Sequence, residues 1–145
     1  MDFIAALKTT TSVDDALAKV IQQLGADSGT IHLLRDDGML HLAAASAGIP
    51  PQVRAVIGTI PVGKGMAGLA VERRAPVDAC NLQTDTSGDV RPGAKATGLQ
   101  GALVVPMFAG EKVVGALGVA NREARVFTPD ETALLLEAGR VLAGR

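Results

Sequence analysis

Glycine, histidine and cysteine residues stand in this sequence at spacings from which three kinds of chemistry could be built. Gly63-Lys64-Gly65-Met66-Ala67-Gly68 has the Gly-x-Gly-x-x-Gly spacing, with Asp85 twenty residues past Gly65. In a dinucleotide site such glycines let backbone amides close on a pyrophosphate at a helix start, and the acid holds a ribose. The context here is wrong for that. Arg73-Arg74-Ala75-Pro76 cuts the following helix short, and Asp85 falls in a loop rather than at a strand end. The segment reads as a glycine-rich turn where a short helix packs on a sheet.

His32 and His41 fall on the two strands of a hairpin. They oppose each other if Asp36-Asp37 forms the turn, and do not if Asp37-Gly38 does. A histidine pair holds a metal only with further ligands, and the chain has 2 His and 1 Cys. A solvated or half-buried sheet face is the expected role, and no metal site is assigned. Cys80 opens a polar segment, where a nucleophile would want a histidine or a helix N-terminus beside it. A lone thiol is ordinarily a small buried hydrophobe. A single cysteine also excludes a disulfide, a Cys-rich zinc site or a two-cysteine redox cycle within one chain. No Ser-His-Asp set, phosphate loop or carboxylate pair emerges from spacing, so no catalytic residue is assigned and the chain reads as a non-enzyme.

Composition narrows the classes further. Fourteen basic against fifteen acidic side chains give a net charge of −1, and no basic cluster exceeds Arg73-Arg74, so a nucleic-acid face is not expected. With 3 Phe, no Trp and no Tyr, base-stacking platforms and aromatic cages are close to excluded. The N-terminus meets Asp2 and Lys8 before any apolar run of useful length, so it is no signal peptide. The longest stretch without Asp, Glu, Lys, Arg or His, residues 96–110, is too short to span a bilayer and contains Pro106. A cytoplasmic protein without a membrane role is expected.

The elements that must position these residues follow from periodicity. Ser12 is a good N-cap for Val13, Leu17, Val20, Ile21 and Leu24 at helical spacing, with Gly25 as the stop. A shorter helical turn over 2–7 precedes it. Strands over 30–34 and 39–43 flank Asp36-Asp37-Gly38. Residues 50–58 hold one helical turn, 66–73 a short helix and 76–79 a brief strand. Residues 81–98 form a long polar loop with a helical turn at 92–97, and such loops are more often functional than structural. Its lack of apolar anchors makes it the expected most mobile segment. The runs 101–108 and 112–120 are apolar on nearly every residue and read as central strands covered on both faces. Thr128-Pro129-Asp130-Glu131 starts a final helix striped by Leu134, Leu135, Ala138, Val141 and Leu142. The class is α+β in three layers, one domain over 1–145: a central antiparallel sheet, terminal helices on one face, short helices and the long loop on the other.

Three segments then carry a resemblance. They are Ile60-Pro61-Val62-Gly63-Lys64-Gly65-Met66-Ala67-Gly68-Leu69-Ala70-Val71, Gly101-Ala102-Leu103-Val104-Val105-Pro106-Met107, and Val114-Gly115-Ala116-Leu117-Gly118-Val119-Ala120-Asn121 followed by Phe127-Thr128-Pro129-Asp130-Glu131. Together they resemble the GAF domain, a small-molecule-binding sensory module of GAF/PAS-like architecture. The resemblance implies a pocket between the sheet and a lid of short helices and loop, here about residues 80–100. It also implies a sensor that binds a small polar ligand, signals through its terminal helices and sits beside an output domain in a longer protein. Candidate ligand-binding residues are Cys80, which opens the loop, and Asn81, Asp85, Arg91, Thr97 and Gln100, which bring polarity to the apolar strands beside it. The ligand, and hence any cofactor, is left unnamed. Asn121-Arg122, Phe127 and Asp130-Glu131 resemble a signature of cyclic-nucleotide-binding members, with Arg in place of Lys. The family also has a branch reducing free methionine sulfoxide, which would make Cys80 a nucleophile, and an empty-pocket dimerisation module is the other alternative. A homodimer through the terminal helices is expected, because Leu134 to Leu136 cover about 200° of helix circumference, more than the roughly 100° that a sheet face buries.

Overall fold

Local signals in the chain set the helices of the computed structural model, which describes residues 2–84 and 98–144. Asp2 caps α1 (Phe3–Lys8), its carboxylate accepting the Ala5 N–H at 2.8 Å. Ser12 Oγ accepts the Asp15 N–H at 3.0 Å and starts α2 (Val13–Leu24), which Gly25 ends at a φ of 62°. Pro51 opens α3 (Pro51–Ile57), and α4 spans Gly65–Arg73. The last helix, α5 (Pro129–Ala143), begins with a full capping box: Thr128 Oγ1 accepts the Glu131 N–H while Glu131 accepts the Thr128 N–H.

Among the described residues six strands form one antiparallel sheet: β1 (Ser28–Leu34), β2 (Met39–Ala45), β3 (Thr59–Pro61), β4 (Val77–Ala79), β5 (Ala102–Ala109) and β6 (Lys112–Ala120). Their order is β3-β2-β1-β6-β5-β4, so the two hairpins join through β1 and β6. The apolar runs read as central strands are β5 and β6, both interior to this order. Strand β3 had no signal in the sequence, because three residues carry no period.

Side chains alternate between the two faces of the sheet. Ile31, Leu103, Val105, Leu117 and Val119 turn toward α1, α2 and α5 and bury Leu7, Leu17, Val20 and Leu135. Leu135 is wholly buried, while Leu134 and Leu136 pack at the rim of the same core with Phe3 and Ile4. On the other face Met66 and Ala70 of α4 pack on Val77, Ala79 and Ala102. Among the described residues no helix is long and apolar enough to cross a membrane.

The first hairpin departs from both two-residue turns considered above. Arg35 N–H donates to Met39 O at 3.0 Å and Gly38 takes a φ of 78°, so Asp36-Asp37-Gly38 together form a three-residue loop. That loop length pairs His32 with Leu42 and His41 with Leu33. The two histidines therefore occupy opposite faces and form no pair.

Candidate functional site

The sheet face opposite the terminal helices is floored by small side chains. Thr30, Ala102, Gly118 and Ala120 bring little volume to the middle of β1, β5 and β6, and a cavity of about 280 Å³ opens above them. Ile57 of α3, Ile60 of β3 and the first turn of α4 wall one side, and Leu82 and Leu99 wall the other. Apart from His32, none of the described lining residues carries an acidic or a basic side chain. The glycine motif serves this wall. Gly63 N–H donates to Gly68 O at 2.9 Å, and a Cβ on Gly68 would lie 2.3 Å from Pro61 O, so only glycine lets α4 lie this close to β3. Its first residues, Gly65, Met66 and Ala67, line the cavity as a helix start without a side-chain cap.

The polarity of the described wall comes from β1. Ser28 Oγ lies 2.7 Å from Ser46 Oγ, which also accepts the Gly29 N–H. His32 is 3% exposed. Its Nε2 sits 2.9 Å from Ile57 O, and a carbonyl only accepts, so the ring proton is on Nε2. Nδ1 is buried and has no hydrogen-bond partner among the described residues. Burial pushes the imidazole pKa below its ordinary value, partly offset by the bond to Ile57. The ring is thus neutral at pH 7, with Nδ1 an acceptor enclosed in the protein.

The loop candidates that fall among the described residues, Cys80, Asn81 and Gln100, lie at its two ends. Cys80 is exposed beyond β4. Asn81 Nδ2 donates to Gln100 Oε1 at 3.3 Å, and Leu82 N–H donates to Gln100 O at 2.6 Å, so these residues tie the two ends together. Leu82 and Leu99, beside them, reach the cavity; Cys80, Asn81 and Gln100 are not among its described lining residues. Asp85, Arg91 and Thr97, the helical turn at 92–97 and most of the segment expected to be mobile lie outside the described residues. His41 pairs with Asp37 at the surface, Nε2 to Oδ2 2.7 Å. Among the described residues no three His, Cys, Asp or Glu side chains group as metal ligands would.

Residues that resemble the cyclic-nucleotide signature are placed in a joint between helices. Asn121 Nδ2 donates to Gly25 O at 3.0 Å. Arg125 Nη1 donates to Gly25 O and Asn121 Oδ1, and Nη2 donates to Leu24 O at 2.7 Å and to Glu131 Oε2. The guanidinium also lies over the Phe127 ring, 4.2 Å from its centroid. One side chain thereby caps the C-terminus of α2 and grips the start of α5. The Thr128 N–H, and then Arg125, hold the Glu131 carboxyl below the usual carboxylate range. Sequence reasoning missed both His32 and Arg125. Thr30 and His32 alternating with Ile31 and Leu33 signalled that His32 leaves the helix-covered face. Nothing local signalled that Arg125 would cap α2, because Leu24 O and Gly25 O lie about a hundred residues away in sequence.

Comparison with protein families matches the GAF domain over residues 8–143. The fold is similar to the GAF domain of an Acinetobacter phosphoenolpyruvate-protein phosphotransferase, with a TM-score of 0.78 and 23% identity over 98% of this chain and 86% of that one. It is equally similar to free methionine-R-sulfoxide reductase from Neisseria meningitidis in complex with its substrate: TM-score 0.78, 18% identity, 98% and 82% coverage. The type II free methionine-R-sulfoxide reductase from Thermoplasma acidophilum gives 0.75 at 17% identity, with 99% and 94% coverage. No curated protein sequence matches the chain.

Proposed function

The chain belongs to the GAF domain family, and from that premise we propose that it is a non-catalytic regulatory domain holding a small molecule in the cavity above Gly118 and Ala120. The observation that carries this reading is the cavity itself: its floor is kept open by small residues where the same strands pack Leu117 and Val119 on their other face. Concave, mainly apolar sites with a few placed polar groups are the usual form of a small-molecule site. Binding would be reported through α2 and α5, and two copies would pair along these helices. The enzymatic alternative asks Cys80 both to attack and to be resolved, and 1 Cys cannot complete that cycle alone.

Native mass spectrometry of freshly purified protein tests the proposal. We expect a small molecule retained by the wild-type chain and lost from Ala120→Leu, whose longer side chain fills the cavity, while Cys80→Ser retains it. A wild-type chain that carries nothing and is stabilised by no member of a small-molecule panel would leave the empty-module reading in its place. Turnover of methionine sulfoxide abolished by Cys80→Ser would establish the enzyme.

A further inference from the structure

Ser28, Thr30 and His32 are the polar side chains that β1 brings to the cavity, and two of them are already bonded within the protein. Ser28 Oγ meets Ser46 Oγ at 2.7 Å, and His32 Nε2 meets Ile57 O at 2.9 Å. We infer that the third, Thr30, is a specificity-determining residue of the cavity: its hydroxyl donates a hydrogen bond to an acceptor, of the carbonyl kind, that a bound molecule places over Gly118. This rests on the reading of the cavity as a ligand site and goes beyond it by naming the group the ligand must carry and the residue that requires it.

The sheet gives the Thr30 hydroxyl no neighbour to bond. Across the strands Thr30 pairs with Gly118 on one side and Ala45 on the other, and neither carries a polar side chain. Along β1 its neighbours on the same face are Ser28 and His32, whose bonds run elsewhere. The hydroxyl has no hydrogen-bond partner among the described residues. It is not shut in either, since His32 Nδ1 is the one enclosed side-chain nitrogen or oxygen there that lacks a partner. Its opening is the cavity: Thr30 is partly exposed although β1 is interior to the sheet, and it lines the floor. The hydroxyl stands beside Gly118, where an added Cβ would lie 3.5 Å from Thr30 Oγ1 and 3.1 Å from Val104 Cγ2. The missing side chain leaves Oγ1 facing open floor, with Val104 as its apolar border. A ligand that displaces water from such a group must replace the bond or leave it unmade. A hydroxyl has one proton to give and two lone pairs, and buried donors are left unmade less often than acceptors, so the ligand must supply an acceptor. About 280 Å³ sits at the small end of ligand sites, which suits a molecule of about one ring.

Two probes of one shape test this on the full chain by calorimetry: acetophenone, and α-methylstyrene, in which a methylene group replaces the carbonyl oxygen. The quantity read is the ratio of their dissociation constants and its change in Thr30→Val, which keeps the shape of the side chain and removes the hydroxyl. We expect Thr30→Val to lower the preference for acetophenone about fivefold, by weakening acetophenone alone, and Thr30→Ser to keep it. The 13C carbonyl resonance of bound acetophenone should lie at higher frequency in the wild type than in Thr30→Val, as a lost hydrogen bond requires. Should Thr30→Val fail to fold, Thr30→Ala takes its place. Both probes bound, both blocked by Ala120→Leu, and a ratio unchanged in Thr30→Val would overturn the role of Thr30 and leave the cavity reading intact. Binding of neither probe, or binding indifferent to Ala120→Leu, overturns the cavity reading and this inference with it.

Discussion

At His32 burial opposes the charged ring while the bond to Ile57 favours it, and burial wins. The folded pKa therefore lies below the unfolded value of about 6.5, and protonation favours the unfolded chain. Stability from this group is complete above about pH 6.5 and is lost as pH falls from there toward the folded pKa, by at most about 1.4 kcal/mol per pH unit. Urea unfolding at pH 7.5 and 5.5 should show that loss in the wild type and a smaller one in His32→Gln. Equal losses in both would place the acid sensitivity elsewhere. Arg125 makes a second prediction. Arg125→Ala leaves Leu24 O, Gly25 O and Glu131 without their charged partner, and should cost about 2–3 kcal/mol in chemical denaturation. At this scale the sequence was least legible. Whether a histidine is a surface residue or a buried acceptor depends on what covers it, here Ile57 of α3, and the pairing of the two histidines turned on a three-residue loop where Asp36-Asp37-Gly38 suggested only two-residue turns. The partners of Arg125 exist only once α2, β6 and α5 have met.

Among the elements, α4 shows how a close approach overrides propensity. Alanine is the better helix former by about 1 kcal/mol, so Gly68→Ala in isolation would stabilise α4. Its Cβ would instead lie 2.3 Å from Pro61 O, a backbone atom with little room to move. We expect Gly68→Ala to lower stability by about 1–3 kcal/mol, read as a drop in melting temperature. An unchanged or higher melting point would show that α4 can lift from β3 at no cost. The long elements were legible because their signals are local: Ser12 and Gly25 bracket α2, and Thr128-Pro129 opens α5 within a residue of the expected place. The cavity was legible only as an implication of the family resemblance. Its floor depends on which of the small residues in β5 and β6 share a face, and runs apolar on nearly every residue carry no alternation to reveal that.

For the molecule as a whole, both terminal helices lie on one face of the sheet, and α1 anchors there through Leu7, which is wholly buried. Leu7→Ala should cost about 2–5 kcal/mol, and equilibrium denaturation measures it. On the proposal that two copies pair through this layer, light scattering at micromolar concentration should give twice the chain mass of 14.8 kDa. Val13→Glu should reduce it to one, because Val13 is 43% exposed at the start of α2. Leu136 is a poorer probe, since it packs into its own core. A single-chain mass for the wild type refutes the dimer. The last residue of β6 gives the cavity and the helical layer a common border. Ala120 is part of the floor, and the next residue, Asn121, holds Gly25 O and Arg125. If occupancy shifts this strand end, coupling must run equally both ways: whatever factor a ligand applies to an event on the helices, that event applies to the ligand's affinity. Asn121→Ala, away from the described cavity wall, should therefore change the affinity of a cavity probe, and a partner that docks on α2 or α5 would be a second, remote determinant of what the domain senses.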